Sequence, residues 1–203
     1  MISLVPTSFF SLSFDCHSFL KKQNLLTKKH ILPSLVIEPL AEVAIGWHDE
    51  GVLVNVIYQK GEFEISWPDF SMGDSIELFF DTRDYKETNY PTKFCHHFYF
   101  LPEPFKENKN LGEEISRFRG EEGHELADKN FFRIETFKRG KGRIVSIFIP
   151  KECLYGYDPT VFNRIGFTYQ INAPGGVCQT FSCDSGEVKL PQQPSLWASL
   201  ELI

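Results

Sequence analysis

Three histidines, His96, His97 and His124, stand among the acids Asp81, Asp84, Glu121, Glu122 and Asp128. Imidazole and carboxylate are the side chains that hold zinc at hydrolytic centres, so this grouping is where metal chemistry would reside. Adjacent residues of a strand project to opposite faces, so His96 and His97 cannot both reach one ion from there. His96 also sits in a phenylalanine-rich row, the setting of a hydrogen-bonded core group. There is no Gly-x-Ser-x-Gly turn, no His-Glu-x-x-His helix and no phosphate-cradling glycine loop. A metal-dependent enzyme is therefore the weaker reading. Asp81 and Asp84 close an apolar run and could offer oxygens to calcium, although acids in such a place also serve solvated turns.

A second set suits recognition rather than reaction. Alternation along four apolar runs separates Glu77 and Phe79, His97 and Tyr99, Ser146 and Phe148, and Thr168, Gln170 and Asn172 from their core-facing neighbours. Stacking the apolar faces together leaves one mixed polar and aromatic sheet face. Sugars need this combination, because hydroxyls demand directional donors and acceptors while pyranose faces pack on aromatic planes. Outward sheet faces are polar in any case, and cross-strand aromatic pairs stabilise sheets without a ligand.

The elements that would position these residues are strands. Residues 35–58 alternate in two runs around Trp47-His48-Asp49-Glu50-Gly51, whose acidic and glycine residues suit a hairpin turn. Further strands are expected over 75–80, 94–101, 132–137, 143–149, 164–172 and 195–203, and the apolar N-terminal stretch 1–14 reads as the first strand. Lys138-Arg139-Gly140-Lys141-Gly142 is a short hairpin connection, and Pro150 stops the strand after it. Residues 103–130 are charged, contain Pro104, Gly112, Gly120 and Gly123, and lack a sustained apolar period, so they form a long surface excursion. Many short strands with turn chemistry between them predict an all-β, antiparallel β-sandwich of jelly-roll or immunoglobulin-like type, with residues 1–203 as a single domain.

Bulk properties agree. The 203 residues include 20 phenylalanines, seven tyrosines and three tryptophans, which favour pleated, half-buried surfaces. A net charge of −6 argues against phosphate binding, so no nucleic-acid partner is expected. No apolar run reaches the roughly 18 residues of a membrane span. The N-terminal stretch has no basic segment or small-residue cleavage pattern. Cys16, Cys95, Cys153, Cys178 and Cys183 are odd in number and lack CxxC spacing, so buried thiols and a cytoplasmic location are preferred.

Four segments together resemble family 9 carbohydrate-binding modules and their DOMON-like relatives. Met72-Gly73-Asp74-Ser75-Ile76-Glu77-Leu78-Phe79-Phe80-Asp81 is similar to that family's Gly-Asp-Ser-Val-Glu strand. Ile147-Phe148-Ile149-Pro150 resembles its aliphatic-Ile-Pro strand, and Arg164-Ile165-Gly166-Phe167 through Ile171-Asn172 its Ile-Gly-Phe…Asn-Asp strand. Pro194-Ser195-Leu196-Trp197-Ala198-Ser199-Leu200 resembles its terminal Pro-x-Leu-Trp-Gly-x-Leu. Order and rough spacing agree from about residue 35 to 203.

The resemblance implies a jelly-roll-like sandwich without catalysis, binding glucose-type or xylose-type units between two tryptophans, with calcium serving structure; no other cofactor is expected. Glu77 and Asn172 match the family's polar contacts, and its arginine would lie near His97. The clamp tryptophans would fall near Ser71 and near Gly175 or Gly176, none of them aromatic, so part of the usual sugar site is lost. Trp67 and Phe70 stand just before the motif and could supply a displaced plate; Trp67 otherwise reads as a turn residue beside Pro68. Two readings stay open: a module for an oligosaccharide or glycan, contacted by Glu77, His97, Tyr99, Gln170, Asn172 and Trp67, and a sandwich of the same kind that docks a protein partner.

Overall fold

The computed structural model describes residues 12–20, 24–34, 36–88, 90–106, 110–115, 123–182 and 189–203. Their strands, in chain order, are β1 (Ser13–Cys16), β2 (Ala41–His48), β3 (Gly51–Tyr58), β4 (Ser75–Asp81), β5 (Cys95–Phe100), β6 (Gly112–Glu114), β7 (Arg133–Arg139), β8 (Gly142–Pro150), β9 (Arg164–Ala173), β10 (Val177–Thr180) and β11 (Ala198–Leu202). They form two layers. The larger sheet runs β1-β11-β9-β4-β5-β6, with β10 also paired to β9, and the smaller runs β2-β3-β8-β7.

The layers meet over the apolar faces that strand alternation assigns. Val43, Ile45, Val54, Val56, Val145 and Ile147 from the small sheet share one buried cluster with Ile76, Leu78, Phe80, Phe98, Phe100, Phe167 and Ile171 from the large one. Closing β-branched chains against aromatic rings removes their surface from water, at about 25 cal/mol per Å² of apolar area. The β2–β3 hairpin turns at Gly51, whose φ of 144° belongs to glycine and whose absent Cβ would lie 2.2 Å from the Ile149 carbonyl oxygen. No other residue fits there.

Strand β10 is not expected from the sequence, and four further features depart from the expectation. Among the described strands pairing is antiparallel except that β1 runs parallel to β11, Ser13 opposite Ser199, and an isolated bridge between Ser18 and Trp47 is also parallel. Of the expected first strand only its end coincides with β1, and residues 1–11 lie outside the described residues. The excursion contributes β6, which pairs with β5 and places Glu114 opposite Phe98. Alternation missed this strand because three residues are too few for a period. Fourth, Ser146 and Phe148 belong to the small sheet and so do not share a face with Glu77. The Ser146 hydroxyl instead donates to the Asn24 carbonyl at 2.7 Å, while Asn55 Oδ1 accepts from Leu26 N at 2.6 Å. An N-terminal segment thus covers the outer side of the small sheet.

Candidate functional site

The register of three neighbouring strands builds the site. β4 lies between β5 and β9, with Glu77 directly opposite Tyr99 on one side and Gln170 on the other. Side chains two residues apart on a strand share a face, so Ser75, Glu77, His97, Tyr99, Gln170 and Asn172 all project from the outer face of the large sheet.

Glu77 is the hub. Its Oε1 accepts from Asn172 Nδ2 at 2.9 Å and from Gln170 Nε2 at 3.3 Å, and its Oε2 lies 2.7 Å from His97 Nε2. Gln170 Nε2 also donates to Asn172 Oδ1 at 2.7 Å, and Asn172 Nδ2 donates to the Ser75 hydroxyl at 2.9 Å. His97 and Asn172 reach Glu77 from diagonal positions on β5 and β9, a span that long polar side chains bridge. Below this network the His97 ring stacks on Phe79, centroids 4.2 Å apart, and Phe79 packs against buried Trp197. The Trp197 indole donates to the Leu190 carbonyl at 2.9 Å. This contact seats the turn Leu190–Gln192 over the end of the sheet.

The network lies low rather than open. Glu77 and His97 keep 7 % and 9 % of their surface exposed, and Asn172 only 2 %. Access comes from an open depression of about 390 Å³ lined by Glu77, Phe79, Gln170, Lys189, Leu190, Pro191 and Gln192. On the other flank Tyr99 is buried, with Phe70 stacked on it at 4.6 Å and 8°. Burial, and then the neighbouring Glu113 carboxylate, push its phenol up to about 12. Tyr99 therefore acts as a floor. The Trp67 ring, 5.6 Å from Tyr99, keeps 37 % exposure at the rim, ahead of a cis Pro68. The turns Phe70–Met72 and Pro174–Gly176 pack against each other, so Ser71 and Gly175–Gly176, the positions that the sequence resemblance assigns to a clamp, lie on neighbouring turns. Ser71 is exposed, and the space beyond Gly175 and Gly176 is empty to 4 Å.

Asp81 and Asp84 occupy a separate turn after β4. Asp81 Oδ1 accepts from Arg83 N at 3.0 Å and Oδ2 from Tyr85 N at 2.7 Å, while burial raises its carboxyl against those hydrogen bonds. Asp84 Oδ2 lies 2.7 Å from both Arg164 Nε and Ser199 Oγ, and Lys86 Nζ approaches Oδ1 at 2.6 Å. Protein cations and backbone amides thus stand where a calcium ion would need open oxygens, and the pair as arranged does not fit that ion. Their proximity does explain the glycine of the Ile165-Gly166-Phe167 motif. A Cβ at Gly166 would sit 2.9 Å from Asp84 Oδ1.

Alternation puts Ser75 on the face of Glu77, but sequence reasoning left it out of the site, and it missed the Leu190–Gln192 turn, whose place depends on Trp197. It separated His96 from His97 correctly. His96 lies on the core side, fully buried, with Phe98 stacked parallel to it at 5.7 Å.

No protein-family model and no curated protein matches the chain. Solved structures do. A family 9 carbohydrate-binding module from Caldicellulosiruptor kristjanssonii in complex with cellotriose superposes with a TM-score of 0.65 at 15 % identity, over 94 % of this chain and 93 % of that one. The module from the same organism in complex with glucose gives 0.66 at 15 % identity, over 94 % and 95 %. The chain therefore has a β-sandwich fold like that of family 9 carbohydrate-binding modules.

Proposed function

We propose that this protein is a non-catalytic module that binds an oligosaccharide or glycan on the outer face of its large sheet. Glu77, Gln170 and Asn172 supply the polar contacts, His97 orients the carboxylate, and Trp67 serves as an aromatic plate at the rim. The observation that carries this reading is the Glu77 carboxylate, held in one orientation by His97, Gln170 and Asn172 at the wall of an open depression. Three contacts leave part of its acceptor capacity for a hydroxyl, and preorganised acceptors lose little entropy when a ligand arrives. Support also comes from the fold, since modules of this shape have been solved with glucose and cellotriose.

A second reading, docking of a protein partner on the same sandwich, is favoured by one observation. The turns that meet beside Asn172 carry Ser71, Gly175 and Gly176 in place of flat rings, so a lone pyranose has no second plate. Calorimetry with cello- and xylo-oligosaccharides, together with a glycan array, separates the two. Binding that disappears in Glu77→Ala supports the sugar reading. Absence of binding in both assays removes it and leaves the docking reading.

A further inference from the structure

His96, Glu114 and His124 meet at one point, away from the sheet face just described. His96 Nδ1 lies 2.7 Å and His124 Nε2 2.9 Å from the same oxygen, Glu114 Oε1, and the two imidazole centroids are 4.3 Å apart. His96 and Glu114 are buried, and the His124 side chain is 5 % exposed. Three separate pieces of chain supply the residues: the start of β5, the end of β6 and the segment before the turn Lys129–Phe131.

The far nitrogens decide what the near ones can do. His124 Nδ1 lies 2.8 Å from the Lys93 carbonyl oxygen, which only accepts, so that nitrogen carries a proton. A neutral His124 then turns a bare lone pair from Nε2 toward the carboxylate, 2.9 Å away. Two acceptors at that separation repel unless a cation lies between them. His96 repeats the pattern more loosely, its Nε2 being 3.5 Å from the Tyr155 carbonyl oxygen. Anchoring of the remote ring nitrogen on a carbonyl is the arrangement that orients metal-binding imidazoles. The second carboxylate oxygen is likewise held, accepting from Ala127 N at 2.8 Å.

We infer that His96 Nδ1, His124 Nε2 and Glu114 Oε1 form a binding site for one divalent transition-metal ion of the zinc type. Tetrahedral zinc, with ligands about 2.0–2.1 Å away, sets its donor atoms roughly 3.3 Å apart. The observed 2.7 and 2.9 Å need to open by only about half an ångström. Two imidazoles and a carboxylate are the donor set that zinc prefers over calcium. An ion here would tie β6 and the His124 segment to the sheet edge, so its role is to hold structure, independent of any sugar bound near Glu77.

The rival occupant of this geometry is a proton on His124, and the experiment distinguishes the two. Protein purified without a histidine tag is stripped with chelator, then titrated with Zn²⁺ and with Co²⁺. The expected result is uptake of one equivalent, a tetrahedral Co²⁺ visible spectrum, and a higher melting temperature with zinc. His124→Gln is expected to weaken zinc binding by at least about 100-fold and to abolish the thermal shift. X-ray absorption of the zinc-loaded wild type needs no variant and is expected to count two imidazole nitrogens. No stoichiometric uptake by the wild type, equal uptake by His124→Gln, or a zinc shell without two imidazoles would each overturn the inference in favour of the protonated pair or of surface sites.

Discussion

Glu77 and His97 meet on a diagonal across β4 and β5, with Oε2 and Nε2 2.7 Å apart, although the residue directly opposite Glu77 is Tyr99. The contact leaves Tyr99 free to support Phe70 and Trp67, and it turns the carboxylate along the sheet toward Gln170 and Asn172.

Replacing this hub should affect both binding and stability. Glu77→Ala removes the carboxylate that His97, Gln170 and Asn172 share in a largely buried network, and a cost of about 1–3 kcal/mol is expected in urea unfolding. Glu77→Gln keeps the shape and should unfold closer to wild type, yet lose sugar affinity by about tenfold in calorimetry, because a neutral amide is a poorer acceptor. Wild-type affinity in Glu77→Gln would show that the carboxylate does not touch the ligand.

Trp67 tests the rim. Its ring is part-exposed above Tyr99, so Trp67→Ala should lower sugar affinity about tenfold, equal to ~1.4 kcal/mol. The melting temperature should fall little. A large loss of stability with unchanged affinity would return Trp67 to the role of a packed turn residue.

Installing a plate is the converse experiment. Ser71 is exposed on the turn that packs against Pro174–Gly176, and Ser71→Trp should raise affinity for glucose-type sugars by about tenfold. Gly176 faces empty space but has a φ of 75°, so Gly176→Trp should cost about 1 kcal/mol of stability for any similar gain. Titration of each variant with cellotriose checks both.

The Asp84 turn should be structurally critical for electrostatic reasons. Asp84→Ala removes a fully buried carboxylate and leaves the Ser199 hydroxyl without that acceptor, while Lys86 and Arg164 can turn to water, so about 1–3 kcal/mol of destabilisation is expected. Arg164 is 48 % exposed, so Arg164→Ala should cost less than about 1 kcal/mol. Chemical denaturation of the two variants makes the comparison.

Thiol reactivity should follow burial. Desolvation pushes Cys16, Cys95 and Cys153 up to about 12, so their thiolates are scarce at pH 8 and appear only as the pH nears that value. Cys178 is exposed. Alkylation of folded protein at pH 8, read by peptide mass spectrometry, should mark Cys178 and spare Cys16, Cys95 and Cys153.

Much of this architecture is written in strand periodicity. Alternation in Ser75–Asp81, Cys95–Phe100 and Arg164–Ala173 assigns Ile76, Leu78, Phe98, Phe167 and Ile171 to the core and Glu77, His97, Gln170 and Asn172 to the opposite face, because a pleated chain turns successive side chains to opposite sides. The same rule separates His96 from His97. Periodicity says nothing about which strands become neighbours. Ser146 looked equivalent to Glu77 in its own strand, yet it lies on the other sheet beneath the N-terminal segment.

What local pattern determined, then, was the side to which each strand residue points. What tertiary structure decided was the company it keeps. Three-residue β6, the turn over Trp197 and the approach of His124 to Glu114 arise from contacts far apart in the chain, with no repeat to announce them. The depth at which Glu77 lies, and the meeting of His96, Glu114 and His124, follow from those long-range contacts because loop placement is governed by what a loop packs on rather than by its own residue order.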